Sequence, residues 1–210
     1  MPEAPTIFGG ADCLSHIIEN LVGTGANDYT EIILLECLKR VWTWLPVAVE
    51  NPNNIEAREQ LSWAAHNSLA NGGIPNGHAV GHAIGSLYHL VHGHACIIVL
   101  PTVIRHFSET AQGVIQKIAK VIGISITGNE QEDSNNVANA ILDFYKKLGL
   151  KPFKEIIEEK GINDNEETFI EKIIPAILDD FKSKQWLPPI HLENSTEKIA
   201  EICKRIYQER

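Results

Sequence analysis

The sequence predicts an all-α fold in a single domain spanning residues 1–210. Three observations predict it: apolar residues recur at helical spacing along most of the chain, alternating strand patterns are nearly absent, and helix start and stop signals bracket the apolar stripes. With 44% hydrophobic and 21% charged residues, the chain has an ordinary globular composition, and its 210 residues suffice for one sizeable core.

The elements follow in order. Asp12 and His16 stand at the start of a first helix. From Asp28, read as an N-cap, an apolar run through Ile32, Leu35, Leu38, Val41, Trp42 and Leu45 ends at Pro46, dense enough for a helix buried on most sides. The next helix should start near Glu56, after Asn51-Pro52-Asn53-Asn54, and run to about Asn71-Gly72-Gly73. Residues 77–107 are rich in histidine and small residues, with breaks expected at His92-Gly93 and at Pro101.

Beyond that segment the helices become plainly amphipathic. One stripe is Val114, Ile115, Ile118 and Ile122; another is Val137, Ile141, Phe144 and Leu148, closed by Gly149. A third runs through Ile170, Ile173, Ile177 and Phe181, with a kink expected at Pro175. The last has an Asn194-x-x-Glu197 start resembling a capping box, then Ile199, Ile202, Cys203 and Ile206. The acidic stretch from Asn129 to Asp133 reads as a solvated loop feeding a helix N-terminus.

Charge and cysteine usage exclude several classes. A net charge of -9, with Lys and Arg scattered, argues against nucleic acid, whose phosphates need clustered cations. The four cysteines form no CxxC pair, so neither a disulfide framework nor a zinc ribbon is indicated, and a reducing cytoplasm is the simplest compartment. No segment reaches the roughly 18 unbroken apolar residues of a membrane span, and the N-terminus lacks the pattern of a signal peptide.

Chemistry concentrates in two places. Asp12-x-x-x-His16 puts a carboxylate and an imidazole on one helical face, a spacing that is also ordinary for surface neighbours. The second place is more specific: five of the nine histidines (His78, His82, His89, His92 and His94) fall within residues 77–94, among glycines and alanines that leave room for a ligand. The HxxxH spacing of His78 and His82 is not that of a zinc peptidase, because Ala79 occupies the position of the general-base Glu. A His-Asp dipeptide, as in one class of metal phosphohydrolase, does not occur.

Taken together, these segments resemble the metal-binding half of the iron-containing alcohol dehydrogenase family. Gly10-Ala11-Asp12-Cys13-Leu14-Ser15-His16-Ile17-Ile18-Glu19 is similar to the family's Gly-x-Asp-x-x-x-His-x-x-Glu segment. His78-x-x-x-His82 through Gly85, Tyr88, His92-Gly93 and Leu100-Pro101 looks like its signature block, and Leu45-Pro46 followed by Glu56-Ala57-Arg58 resembles its next helix pair. The resemblance implies Asp12, His16, His78 and His92 as ligands of Fe²⁺ or Zn²⁺, which would lower the pKa of a bound alcohol whose carbinol hydride passes to a nicotinamide. It places His82 beside nicotinamide and substrate as a proton shuttle; a supporting or packing histidine is the other reading. His89 and His94 flank the motif without matching a ligand position, and His66, His106 and His191 read as surface or helix-end residues.

One departure matters. A Rossmann-type cradle needs a strand, a glycine-rich turn and a helix, and the nearest candidate, Asn71-Gly72-Gly73, follows a helical stretch. The NAD(P)-binding half is therefore expected on another domain or chain, and these residues alone are expected to bind metal without turning over alcohols. A non-catalytic helical metal-binding or interaction module is the rival. A glycerol-dehydrogenase-like or dehydroquinate-synthase-like enzyme would use another ligand set. Apolar surface left by the absent half would favour a homo-oligomer.

Overall fold

The structure, a computed structural model, describes residues 1–23, 27–70, 76–106, 111, 113–183 and 196–209. Among them are ten helices and no strand: α1 (Glu3–Val22), α2 (Asp28–Glu50), α3 (Ile55–Asn67), α4 (Asn76–Tyr88), α5 (His92–His106), α6 (Val114–Ile122), α7 (Glu130–Lys147), α8 (Phe153–Glu159), α9 (Glu166–Ser183) and α10 (Thr196–Gln208). The all-α expectation holds. None of these helices is long and apolar enough to cross a membrane.

α5 is the central element. Every residue from Ala95 to Ile104 is buried, because α1 and α4 pack on one part of its surface and α7 and α10 on others. α2 packs on α1, α3 and α6, and α9 closes against α4 and α10. The amphipathic stripes lie where periodicity predicts. Ile115, Ile118 and Ile122 of α6, Val137, Ile141 and Phe144 of α7, and Ile199, Ile202, Cys203 and Ile206 of α10 are all buried. Gly149, at φ 74°, closes α7 as expected, with its N–H bonded to the Lys146 carbonyl and that of Leu150 to Tyr145.

Several boundaries differ from expectation. Asp12 and His16 stand mid-helix in α1 rather than at its start. Asn27, not Asp28, caps α2: its Oδ1 accepts from the N–H groups of Tyr29 and Thr30 at 3.1 Å, and Thr30 Oγ1 accepts the Asn27 N–H. α2 continues past Pro46 to Glu50, since the fully buried Leu45 and Ala48 flanking the proline keep that stretch packed. Residues 130–133 are the first turn of α7, not a loop, and Asp133 is buried because it accepts the Thr127 and Gly128 N–H groups. Pro101 lies within α5 without ending it, and α9 likewise runs through Pro175.

The most consequential difference concerns His92, which opens α5 rather than ending a helix. α4 stops at Tyr88, and the turn is made by His89 at φ 52°, with the Leu90 N–H bonded back to the Gly85 carbonyl. The short helix α8 was not anticipated, although Phe153, Ile156 and Ile157 recur at helical spacing and are buried. The Asn71-Gly72-Gly73 stop, the Asn194 capping box, His191, Phe107 and the Phe181 side chain lie outside the described residues.

Candidate metal centre

Three helices build the site, and three glycines let them meet. On α1, Asp12, His16 and Glu19 are spaced by four and three residues and share one face. α4 presents His78 and His82, one turn apart, and α5 presents His92 at its N-terminus. A Cβ on Gly93 would sit 2.0 Å from the Phe8 carbonyl oxygen, so only glycine lets α5 lie this close to α1. A Cβ on Gly81 would fall 2.9 Å from Cys96 Cα, and one on Gly77 2.9 Å from the Glu19 carboxylate. The small residues that interrupt the histidine cluster are thus the contact points of its helices.

The side chains converge on Asp12. Its Oδ1 lies 3.3 Å from His78 Nε2 and 3.1 Å from His92 Nε2, and its Oδ2 faces His16 Nδ1 at 3.8 Å. The His16 and His78 rings stack with centroids 4.3 Å apart. Donor atoms of Asp12, His78, His92 and Cys96 all lie within 4.8 Å of one another. Two nitrogen or oxygen donors at about 2.0–2.1 Å from one tetrahedral ion are themselves about 3.3 Å apart. The Asp12–His78 and Asp12–His92 spacings match that edge, so the residues fit a metal ion.

Electrostatics point the same way. Burial disfavours a charge on His78, but hydrogen bonds with Asp12, Cys96 and Glu19 outweigh it and push its pKa up to about 12. Hydrogen bonding to Asp12 and Cys96 lifts His92 to about 10. Asp12 is held well below the usual carboxylate range, because its bonds to His78 and His92 outweigh burial. His16 is pushed down to about 4, by burial first and then by the neighbouring His78 charge. The cluster stabilises positive charge at its centre, which protons on His78 and His92 supply when no divalent cation does.

Two carboxylates orient the histidines. Glu19, only 4% exposed, meets the His78 ring at 2.9 Å (Oε1 to Nδ1) and accepts the His78 backbone N–H at 3.2 Å. A carboxylate only accepts, so Nδ1 donates to Glu19, and Nε2, facing Asp12, is the nitrogen left for a metal ion or, without one, for a second proton. Asp180 of α9 does the same for His82, with Oδ2 3.2 Å from Nδ1. His82 sits at the rim, its ring centroid 5.1 Å from that of His92.

The fold of this site has known counterparts. Structural similarity extends over 99% of this chain and 52% of an alcohol dehydrogenase from Oenococcus oeni (TM-score 0.82, 21% identity), and over 98% of this chain and 52% of a 1,3-propanediol oxidoreductase (TM-score 0.78, 24% identity). The family model described as Fe-containing alcohol dehydrogenase family, C-terminal, matches residues 6–207. The chain belongs to the iron-containing alcohol dehydrogenase family. Among curated members, it is 31% identical to an NAD-dependent methanol dehydrogenase of Bacillus methanolicus, over 70% of this chain and 39% of the relative. It is 26% identical to a 1-propanol dehydrogenase of Salmonella typhimurium, over 96% of this chain and 56% of the relative. The chain thus spans about half the length of the dehydrogenases it matches.

Of the residues singled out from sequence, Asp12, His78 and His92 come together, His16 stacks beside them and His82 stands at the rim. His94 turns away, with Nε2 3.0 Å from the Lys151 carbonyl and its ring on Phe8. His89 forms the exposed turn, His66 is exposed in the last turn of α3, and His106 ends α5. Sequence reasoning assigned no role to Glu19, Cys96 or Asp180. Glu19 could have been found seven residues after Asp12, on the same face, and Cys96 four residues after His92. Asp180 is 98 residues from His82, and no local signal announces it.

Proposed function

We propose that these residues form the metal- and substrate-binding half of an NAD(P)-dependent alcohol dehydrogenase interconverting a primary alcohol and an aldehyde. Residues 1–210 act as one helical domain, with the nicotinamide held by a nucleotide-binding domain or chain outside them. The observation that carries the reading is the placement of Asp12 Oδ1 at 3.3 and 3.1 Å from two imidazole Nε2 atoms on two other helices. Asp12, His16, His78 and His92 are the ligands, for Fe²⁺ or alternatively Zn²⁺, since three imidazoles and a carboxylate suit both. The ion, when bound, supplies the Lewis acidity that polarises an alcohol or carbonyl oxygen.

The remaining work falls to side chains of this chain. Glu19 fixes the tautomer and orientation of His78. His82, oriented by Asp180, carries a proton between the substrate oxygen and solvent. The names of similar family members (methanol, butanol, 1,3-propanediol and 1-propanol dehydrogenases) support a small alcohol as substrate. Four cysteines that are buried and free suit a reducing cytoplasm.

Metal analysis of the anaerobically purified chain tests this. One equivalent of iron or zinc is expected, and His78→Ala and His92→Ala should each weaken binding by more than the roughly 100-fold that marks the upper end for loss of an orienting partner. Full retention in both variants overturns the ligand set. Purified alone, the chain should not reduce aldehydes with NAD(P)H, and a nucleotide-binding partner should restore turnover. Turnover without it overturns the division of labour.

A further inference from the structure

A cavity lies away from the metal centre, where α5 meets α7, α8 and the end of α10. Its deep end, about 30 Å³, is walled by apolar side chains, Ile97, Ile98, Leu142 and Phe153 among them. Past Leu150 and Pro152 it opens into a wider cleft of about 620 Å³, a size common for small-ligand sites. The turn from α7 to α8 builds this shape. Gly149, at φ 74°, reverses the chain so that Leu150 is buried and Pro152 stands just before α8.

Charge is spread unevenly over the rim. Lys146, Lys151 and Lys154 line it together with Glu155, Glu158 and Glu209. Several of these charges are already engaged: Lys151 pairs with Glu155 at 3.5 Å and with Glu159, and Glu209 pairs with Arg105. Among the described residues, the Lys146 ammonium has no ion pair or hydrogen bond. The Lys154 ammonium meets only the Tyr207 ring, at 5.9 Å, and not Glu158 one turn further on. Two uncommitted ammonium groups against one carboxylate leave the rim locally cationic, in a chain of net charge -9. An apolar recess beside free ammonium groups selects a ligand with one apolar and one negative end.

We propose that this cleft binds a small amphipathic carboxylate, with its apolar end against Ile98 and Phe153 and its carboxylate held by Lys146 and Lys154. The narrow deep end takes only the tip of an alkyl chain, and Glu158 opposes a second negative group. A short monocarboxylate therefore fits better than a dianion. The site shares α5 with the metal centre but none of the side chains of that centre, so binding here needs neither metal nor nicotinamide.

Isothermal titration of the purified chain with sodium hexanoate tests this. Saturable one-to-one binding is expected, with acetate and hexylammonium not binding over the same range. Lys146→Glu and Lys154→Glu should each weaken binding roughly tenfold, because reversal exchanges an attraction for a repulsion. Leu142→Trp, at a half-buried position, fills the deep end and should abolish binding, whereas Lys120→Glu on the exposed face of α6 should leave it unchanged. Hexanoate bound instead at the metal centre would ignore all three cleft variants, and that result overturns the proposal. Equal binding of hexylammonium overturns the charge selection, equal binding of acetate overturns the apolar recess, and no saturable binding overturns the site. Should Leu142→Trp fail to fold, the two lysine reversals decide.

Discussion

The α1–α4–α5 junction and the α6–α7–α10 flank are built on opposite principles. On the flank each helix buries one apolar stripe and leaves the other face wet, with Ile118, Ile141 and Ile202 inside and Lys120, Asn139 and Lys204 on the wet faces. At the junction, buried positions are given to His78, Glu19 and a run of glycines, none of which contributes apolar burial. Polar groups in a core are costly unless paired, and here Glu19, His78 and Asp12 are paired through consecutive contacts. The flank is arranged for stability and the junction for holding a charge.

If so, a mutation at the junction should act on metal affinity and one on the flank on stability, and the two readouts should separate. Glu19→Gln is the sharpest probe. Gln keeps the shape but can no longer offer two acceptor oxygens to the His78 ring and backbone N–H, so Nδ1 is less firmly held in its protonated form. Loss of an orienting partner costs roughly 10–100-fold in metal affinity, and isothermal titration of the stripped chain with Zn²⁺ should register it. Unchanged affinity would mean that Glu19 serves only to pin α4 on α1.

The same contrast explains how far the sequence could be read. α6, α7 and α10 were legible because half-buried helices print their period in the apolar residues, and Gly149 marked an end that its positive φ requires. Of the two breaks expected around α5, the one at His92-Gly93 falls immediately before the helix, between Tyr88 and His92, whereas the one at Pro101 does not occur. A helix buried all round has no period to show, Gly93 is dictated by the Phe8 backbone, and Pro101 sits inside the core. In the site, the histidine cluster stood out by density, whereas joining Asp12 and His16 to it needed the family resemblance. Cys96 was hidden by the misplaced start of α5, since its spacing from His92 means something only once both share a helix. Asp180 reaches His82 through tertiary packing alone.

Ile141→Val is the matching probe on the flank. Ile141 is fully buried in α7, and removal of one methyl group there should cost about 0.5–1.5 kcal/mol of stability. Chemical denaturation should show a lower midpoint with the same slope, while Zn²⁺ affinity well below the transition stays that of the unmodified chain. A matching fall in affinity would show that strain passes from α7 through α5 into the centre, and the contrast between the regions would then be one of degree.

The smallest expected effect tests a polar group on the flank that owes nothing to metal. Asp133 in the first turn of α7 accepts the Thr127 N–H at 2.6 Å, the Thr127 hydroxyl at 3.0 Å and the Gly128 N–H at 3.2 Å. Those bonds, the Thr127 backbone N–H foremost, hold its carboxyl below the ordinary 3.8. A carboxyl with a depressed folded-state pKa stabilises the fold fully above its unfolded value and loses that contribution as pH falls through the folded one. Stability of the unmodified chain should therefore decline below pH 3.8 more steeply than that of Asp133→Asn, and above it the unmodified chain should be the more stable. Thermal melts of the metal-free forms from pH 6 downward would reveal the crossing slopes. Parallel slopes would show that the Thr127 and Gly128 N–H groups bind a neutral side chain as well as a charged one, leaving the junction as the place where charge matters.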